Sequence, residues 1–285
     1  MRISDILQKK ETIISCEIFP PKMGSQLDSA FEIAGKIAEL KPAFISVTCG
    51  AGGNTAVFTE KLSEHIEKSN VPALAHLTCV ATPKEEIAAI LNDYEKMGIE
   101  NILALRGDLP KGFQTEGEHY KYANELVTAI KERGGFCIGA ACYPEGHIES
   151  ANQEEDIAYL KQKVEAGCDF LTTQMFFDNN VLYKFLFKLS QKGINIPVLA
   201  GIMPVTNKAQ IRRILELSGT VLPPRFQNIV DKFGDNPAAM RQAGIAYATE
   251  QIIDLAANNV RGIHLYTMNK PDIAQQIMQN LSEIL

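Results

Sequence analysis

Short apolar runs alternate with amphipathic stretches along the whole chain. The runs are rich in β-branched residues and have the length of buried strands. The stretches between them carry apolar residues three and four positions apart, as in Ile87, Ile90, Leu91 and Tyr94, which is typical of helices packed on one face. The predicted strands are 12–19, 43–48, 73–78, 101–105, 136–142, 169–174, 196–200 and 260–266.

This alternation predicts an α/β protein with a parallel sheet covered by helices. The main helix candidates are 27–40, 84–97, 120–133, 152–166, 179–191 and 207–217. Eight strand–helix units in 285 residues fit a (β/α)8 TIM barrel, and we expect one domain over residues 1–285. The alternative is an open doubly wound sheet, which should have a glycine-rich loop after its first strand. That position instead holds Pro20 and Pro21, which cannot donate amides to a phosphate.

The last connection is longer than the others. Residues 217–259 contain Pro223 and Pro224 and a further helical pattern over 237–256. We interpret this segment as an insertion of extra helices before the last strand rather than as a second domain.

Composition narrows the class of protein. The formal net charge is −6, which argues against nucleic-acid binding, and no apolar run has the length of a membrane span. Residues 1–10 lack the apolar centre of a signal peptide. The six cysteines include no Cys-x-x-Cys pair, which favours a reducing compartment. We therefore expect a cytoplasmic protein.

Polar side chains follow almost every predicted strand. In a TIM barrel the carboxyl ends of the strands meet at one rim, where the active site lies. We therefore expect these residues to form a site together. They are Glu17, Thr48, His76, Thr78, Arg106, Asp108, Tyr143, His147, Gln174 and Tyr266.

Glu17 is the most specific of these candidates because it lies within an apolar strand. A buried carboxyl favours its protonated form, which suits a general acid. The alternative is a structural pair between Glu17 and a Lys or Arg inside the barrel.

The other candidates are less specific on their own. Arg106 and Asp108 flank Gly107, which permits close approach of a ligand, although a structural Arg–Asp pair is the alternative. His147, Lys161 and Lys163 are candidate phosphate donors. No cluster with the spacing of metal ligands accompanies His76, so we expect no metal.

Several of these segments together resemble the methylenetetrahydrofolate reductase family, in the same order and over essentially the whole chain. The matching segments are 17–22 (Glu-Ile-Phe-Pro-Pro-Lys), 46–48, 76–79, 105–110 (Leu-Arg-Gly-Asp-Leu-Pro), 143–147, 173–178, 201–204 and 266–269.

The resemblance implies an FAD-containing barrel that reduces 5,10-methylenetetrahydrofolate to 5-methyltetrahydrofolate with NAD(P)H, in one-carbon metabolism and methionine supply. It implies that Glu17 is the general acid and that Asp108 stabilises the cationic intermediate. Gln174 and Lys270 would contact the folate. The residues implied to bind FAD are Thr48, His76, Arg106, Gly107, Asp108, Tyr143, His147, Asp156 and Lys163.

Two positions depart from the bacterial pattern of the family. Lys208 stands where an aromatic residue stacks on the nicotinamide cofactor, and Lys270 replaces an arginine. The electron donor therefore stays open, and a flavin subunit working with a small partner redox protein is one alternative. Another is a proline dehydrogenase-like flavin barrel. We also expect a homo-oligomer, and a chain made of the catalytic barrel alone.

Overall fold

The computed structural model describes residues 1–9, 11–50, 56–109 and 118–285. Its eight strands are all parallel and follow one another in chain order around a closed barrel, because β8 also pairs with β1. The (β/α)8 prediction is therefore confirmed. The strands are β1 Ile13–Ile18, β2 Ile45–Val47, β3 Ala73–Thr78, β4 Asn101–Leu105, β5 Cys137–Cys142, β6 Phe170–Thr173, β7 Val198–Ile202 and β8 Gly262–Tyr266.

Helices follow the strands and cover the outside of the barrel. They are α1 Ile3–Ile6, α2 Leu27–Ala38, α3 Ala56–Lys68, α4 Lys84–Met97, α5 Ala123–Arg133, α6 Gln153–Glu165, α7 Asn179–Gln191, α8 Lys208–Ser218, α9 Pro224–Phe233, α10 Pro237–Ala257 and α11 Pro271–Asn280. The helices predicted for residues 84–97 and 179–191 match α4 and α7 without change. The predicted strand 196–200 begins two residues later, at Val198, since Pro197 has no amide to donate to the sheet.

A layer of large apolar side chains fills the amino-terminal end of the barrel. Phe44, Leu74, Leu103, Phe170 and Leu199 are all 5% exposed or less and form one cluster with Ile3 and Leu7 near α1. The side chain of Asn101 fastens this end: it accepts from the Ile3 amide at 2.8 Å and donates to the Met1 carbonyl at 3.1 Å. Apolar side chains therefore close the amino-terminal end of the barrel, and the polar residues lie toward the carboxyl end.

The inserted helices α9 and α10 confirm the expectation of extra helices before the last strand. They pack with α8 over the loops after β6 and β7, in a second apolar cluster centred on Phe177, Val205 and Phe226. Tyr247 on α10 donates to the Phe177 carbonyl at 2.5 Å. The insertion therefore holds the rim of the barrel on the side of β6 and β7.

None of the helices in the described parts of the chain combines the length and apolar character that a membrane span needs. Five cysteines are free and buried: Cys16, Cys79, Cys137, Cys142 and Cys168. Burial raises the pKa of the Cys16 thiol to about 12 and that of Cys137 to about 11. Such thiols act as small apolar side chains.

Candidate active site

Glu17 points into the barrel near the carboxyl end of β1, with its side chain 10% exposed. The strand register places it beside Ser46 of β2 and Tyr266 of β8. Its backbone carbonyl accepts a hydrogen bond from the Thr267 hydroxyl at 2.6 Å, which holds this end of β1 against the loop after β8. This contact fixes the backbone of the strand end that carries Glu17.

Two imidazoles lie close to the Glu17 carboxyl, instead of the Lys or Arg of the alternative interpretation. Oε2 of Glu17 is 3.6 Å from Nε2 of His76 on β3 and 3.7 Å from Nε2 of His264 on β8. Ser46 lies between them, with its hydroxyl 3.5 Å from Glu17 Oε2 and 3.1 Å from His264 Nε2. The Glu17 carboxyl therefore belongs to a buried polar cluster with Ser46, His76 and His264.

Burial lowers the pKa of His76 to about 4, with Glu17 opposing this change and His264 adding to it. At neutral pH the ring is uncharged, so its contact with Glu17 is not an ion pair. Its Nε2 has no hydrogen-bond partner although it is buried. A neutral His76 leaves Glu17 without a counter-charge on that side.

His264 was not among the residues singled out from the sequence. It is 1% exposed, stacks on Phe44 with ring centroids 5.8 Å apart, and makes an edge contact with Tyr266. The available signal was the alternation of His264 and Tyr266 in an otherwise apolar strand, which places both side chains on the inner face.

The turn after β4 depends on Gly107. Its φ of +81° lies in the left-handed region, and a Cβ added there would be 2.8 Å from the Cβ of Thr78. Only glycine fits both conditions. The turn thus brings the backbone of Arg106 and Gly107 against the end of β3, where Cys79 and Val80 donate their amides to the Arg106 carbonyl.

Arg106 extends across the rim to the loop after β5. Its guanidinium forms a two-pronged ion pair with Glu149, at 2.5 and 2.9 Å, rather than the pair with Asp108 that was considered from the sequence. Asp108 is exposed to solvent. Pro110, the last residue of this motif, lies outside the described residues.

Four of the predicted flavin-binding residues lie on the loop after β5 and on α6: Tyr143, His147, Asp156 and Lys163. The rings of Tyr143 and His147 make an edge contact with centroids 4.6 Å apart. Asp156, 9% exposed, accepts from Ser150 at 3.4 Å, and burial raises the pKa of its carboxyl. Lys163 points inward and donates to the Ala141 carbonyl at 2.6 Å, whereas Lys161 is exposed and pairs with Glu165 on the helix surface.

Tyr266 lies between this group and Glu17. Burial raises the pKa of its hydroxyl well above the ordinary value, and the negative charge of Glu17 adds to this, followed by Cys142 and Tyr143. The hydroxyl donates to the Thr173 carbonyl at 2.6 Å. The uncharged Tyr266 side chain therefore links β8, beside Glu17, to the end of β6.

The remaining candidates lie elsewhere on the rim. The carbonyl of Thr48, after β2, accepts from Thr59 at 2.9 Å. Oε1 of Gln174, after β6, accepts a hydrogen bond from the amide of the next residue, Met175, at 3.0 Å. Lys270 donates to the Thr206 hydroxyl at 3.1 Å, and Lys208 pairs with Asp235 at 3.1 Å. These residues lie on the loops after β2, β6 and β8 and, for Lys208, at the start of α8.

The side chains around Glu17 do not resemble a metal centre. No group of three or more His, Cys, Asp or Glu side chains with the geometry of metal ligands occurs among residues 1–9, 11–50, 56–109 and 118–285. What the site offers is a carboxyl that can hold or release a proton in a largely dry, polar-lined setting.

Comparison with solved structures supports the fold. An uncharacterized protein from Clostridium thermocellum, described as binding two copies of 5-methyl-5,6,7,8-tetrahydrofolic acid, superposes with a TM-score of 0.68 at 12% identity and full coverage of both chains. An oxaloacetate acetylhydrolase gives a TM-score of 0.58, also at 12% identity, over 99% of this chain and 85% of the other. At this identity the likeness concerns the barrel alone.

Comparison of sequences identifies the family. The chain is 35% identical to methylenetetrahydrofolate reductase (NADH) 1 of Arabidopsis thaliana, over 99% of this chain and 50% of the plant protein. It is 32% identical to 5,10-methylenetetrahydrofolate reductase of Escherichia coli K12, over 94% of this chain and 90% of the bacterial protein. The chain thus spans about half the length of the plant relatives.

The family model for methylenetetrahydrofolate reductase matches residues 2–282, which includes all eight strands and the Glu17 site. The chain therefore belongs to the methylenetetrahydrofolate reductase family.

Proposed function

We propose that this protein reduces 5,10-methylenetetrahydrofolate to 5-methyltetrahydrofolate, with FAD as its cofactor and NAD(P)H as the electron donor. The observation that carries the proposal is the buried Glu17 carboxyl inside a barrel of this family, where its neighbours are Ser46, His76 and His264 and, in the described part of the chain, it forms no ion pair with a Lys or Arg. A carboxyl held in this way can keep a proton and give it to a bound substrate.

The residues of the rim are chemically suited to FAD. Arg106 on the loop after β4, His147 on the loop after β5 and Lys163 on α6 offer cationic or imidazole donors for a diphosphate, and Asp156 on α6 offers an acceptor. Gly107 keeps the backbone after β4 open to close approach. When bound, FAD would supply the hydride chemistry, transferring to the folate the electrons taken from NAD(P)H.

The protein's own residues would supply the proton and the electrostatic setting. Glu17 would protonate the folate nitrogen whose bond to the methylene carbon breaks, which opens the five-membered ring. Asp108 would stabilise the positive charge that then develops on the substrate. Gln174 and Lys270 would orient the folate. The neutral His76 supports this division, because it does not draw the Glu17 proton into an ion pair.

The expected cellular role is methionine supply through one-carbon metabolism in the cytoplasm. Six free cysteines, five of them buried, support a reducing compartment. Three expectations stay predictions: the homo-oligomer, the small partner protein and the single-domain organisation. Light scattering of the purified protein gives the subunit number. Co-purification from cell extract tests for the partner protein.

The proposal is tested with purified protein supplied with FAD under anaerobic conditions. We expect a yellow protein that NADH or NADPH bleaches and that 5,10-methylenetetrahydrofolate reoxidises, with 5-methyltetrahydrofolate as the product. Proline in place of folate serves as the control for the proline dehydrogenase-like alternative. A protein that takes up no FAD, or reduced protein that folate leaves unchanged, would contradict the proposal.

A further inference from the structure

The pairing between β1 and β8 ends beside Glu17, where the last pair in their register is Glu17 with Tyr266. Along β1, the peptide groups of alternate residues face β8, beginning with the Ile13 amide, which donates to the Arg261 carbonyl at 2.8 Å. By this alternation, Phe19 is the next residue after Glu17 whose peptide groups face that side. The Phe19 peptide groups therefore need a partner from the segment that follows Tyr266.

Asn269 supplies that partner with its side chain. Its Oδ1 accepts from the Phe19 amide at 2.8 Å, and its Nδ2 donates to the Phe19 carbonyl at 3.0 Å. A carboxamide offers the same donor and acceptor as a peptide group, so the Asn269 side chain extends the pairing past its last register pair. The Thr267 hydroxyl adds a third bond, to the Glu17 carbonyl at 2.6 Å. Three side-chain hydrogen bonds therefore hold the end of β1 over residues 17–19.

The backbone after β8 turns away from the barrel at this point. Met268 and Asn269 have φ values of +54° and +55°, in the left-handed region. The Lys270 amide donates to the Thr267 carbonyl at 3.0 Å, which closes a tight turn, and α11 follows it directly. Asparagine is enriched among the non-glycine residues that adopt this region. It therefore fits the turn and also offers the carboxamide that Phe19 requires.

We propose that Asn269 is a positioning residue for Glu17, because its carboxamide keeps the end of β1 in line with the sheet so that the carboxyl can reach the folate. Asn269 acts through the backbone of residues 17–19 and does not itself need to contact the substrate. The inference rests on the proposed function, since it assigns Asn269 to the proton-donating step. Proton transfer requires the donor and the acceptor at hydrogen-bond distance, so a small shift of the strand end slows that step.

Asn269→Gly separates the carboxamide from the backbone turn, because glycine adopts a φ of +55° readily and has no side chain. The matched control is Asn259→Gly. Asn259 has a φ of +61°, is exposed, and lies just before β8, at the opposite end of that strand. Both variants change the same residue type in the same backbone conformation, but only Asn269→Gly removes hydrogen bonds to the end of β1.

The kinetic test follows the two half-reactions of the FAD-loaded protein by anaerobic stopped-flow absorbance. We expect Asn269→Gly to slow flavin reoxidation at saturating 5,10-methylenetetrahydrofolate about 10- to 100-fold, without raising the half-saturating folate concentration. Flavin reduction by NAD(P)H, and both half-reactions of Asn259→Gly, should match wild type. A weaker folate affinity with an unchanged limiting rate would mean that Asn269 acts through its neighbour Lys270, and this result would overturn the proposal.

The second test needs no catalysis. In the purified protein labelled with ¹⁵N-phenylalanine, the rate at which the Phe19 amide exchanges with heavy water reports on its bond to Asn269. We expect Asn269→Gly to speed this exchange about 10-fold and Asn259→Gly to leave it unchanged. An unchanged rate in Asn269→Gly would show that the carboxamide does not hold the end of β1, and it would overturn the proposal.

The outcomes separate this proposal from the proposed function. Faster Phe19 exchange with normal folate reduction in Asn269→Gly would contradict the positioning role and leave the proposed function intact. Wild-type protein that does not reduce folate would contradict the proposed function and, with it, the catalytic role of Asn269. Thr267→Val, which removes the bond to the Glu17 carbonyl, tests the same strand end if Asn269→Gly does not fold. We expect it to slow the same step, and a wild-type rate would contradict the proposal.

Discussion

Glu17 is stabilised in its apolar strand by hydroxyl and imidazole groups. The residues around its carboxyl oxygen are Ser46, His76 and His264, at 3.5 to 3.7 Å. A Lys or Arg at this distance would stabilise the carboxylate and oppose proton donation. Ser46 and the uncharged His76 place no positive charge beside the carboxyl, which suits the role of a general acid.

The buried imidazole of His76 makes the stability of the protein depend on pH. The unfolded chain binds this proton with a pKa near 6.5 and the folded protein with a pKa of about 4, so the unfolded state binds more protons between these values. Stability therefore falls as the pH drops from 6.5 to 4. We expect wild type to lose about 3 kcal/mol more than His76→Gln over this range.

This difference is measured by urea unfolding at a series of pH values. His65→Gln is the control, because His65 lies on α3 outside the barrel and stacks on Phe31. If the free energy of unfolding depends on pH equally in wild type and His76→Gln, the pKa of His76 is not lowered in the folded protein.

The turn after β4 gives a second prediction at the scale of one residue. Gly107→Ala adds a Cβ 2.8 Å from Thr78 Cβ at a φ of +81°, whereas Gly98→Ala has a similar φ of +75° and no atom within 4 Å. We expect a loss of about 1 kcal/mol in the free energy of unfolding for Gly98→Ala, and of about 2–3 kcal/mol for Gly107→Ala. Equal losses in urea unfolding would mean that the contact with Thr78 relaxes without cost.

The sequence indicated Glu17 and His76 as members of one site, but it did not indicate His264 as a partner of Glu17. Glu17 stood out because a carboxyl in an apolar run is costly. Ser15 and His264 gave weaker signals, since small or aromatic polar residues are common inside strands. Which of them contact Glu17 depends on the register between β8, β1 and β2, which brings residues 46 and 266 beside residue 17. That register is a property of the closed sheet and is not encoded in local spacing.

At the scale of secondary-structure elements, the loops of the rim hold one another through a few side chains. Asn269, with a φ of +55°, accepts from the Phe19 amide at 2.8 Å and donates to the Phe19 carbonyl at 3.0 Å. Lys270 joins the same loop to Thr206 after β7. The loop after β8 thus links the end of β1 to the loop after β7. Residues near position 266 therefore help to hold the rim around Glu17, although they lie far from residue 17 in the sequence.

Helix α10 supports the loop after β7 by close backbone contact. A Cβ added at Gly244 would lie 1.9 Å from the Val205 carbonyl oxygen, so Gly244→Ala must displace the helix or the loop. We expect a loss of about 3 kcal/mol in the free energy of unfolding, together with weaker binding of folate at the rim. Gln242→Ala, an exposed position of the same helix, should change stability by less than about 0.5 kcal/mol.

Denaturant unfolding and folate titration of the two variants test the role of α10. A Gly244→Ala protein as stable as wild type would mean that α10 does not support the rim. The extra helices themselves were predictable from the helical pattern after Pro223 and Pro224, but their contact with residue 205 was not, because it joins segments that only the fold brings together.

At the scale of the whole molecule, the barrel follows from the alternation of strands and helices. The outer face of each strand is mostly apolar because helices cover it, whereas the inner faces carry large apolar side chains at the amino-terminal end and polar ones around Glu17. The sequence predicted all eight strands, with ends that differ by a few residues, as for β7. The rim could be predicted as a set of residues, while the division into a Glu17 group and an Arg106–Lys163 group required the structure.

These two groups give the molecule its proposed division of labour. The Glu17 group is buried, and the second group presents Arg106, His147 and Lys163 on the loops after β4 and β5 and on α6. The uncharged Tyr266 side chain lies near both groups, since, besides burial, Glu17 and Tyr143 each raise the pKa of its hydroxyl. Proton donation to folate and binding of the cofactor should therefore be separable by mutation.

Glu17→Gln tests this account most directly, with the two half-reactions followed separately by anaerobic stopped-flow absorbance. We predict that NAD(P)H reduces the flavin at the wild-type rate, while reoxidation by 5,10-methylenetetrahydrofolate slows about 10²–10⁴-fold, because only the second step needs the proton. Glu60→Gln, a half-buried carboxyl on α3, is the control. Wild-type folate reduction by Glu17→Gln would contradict the account.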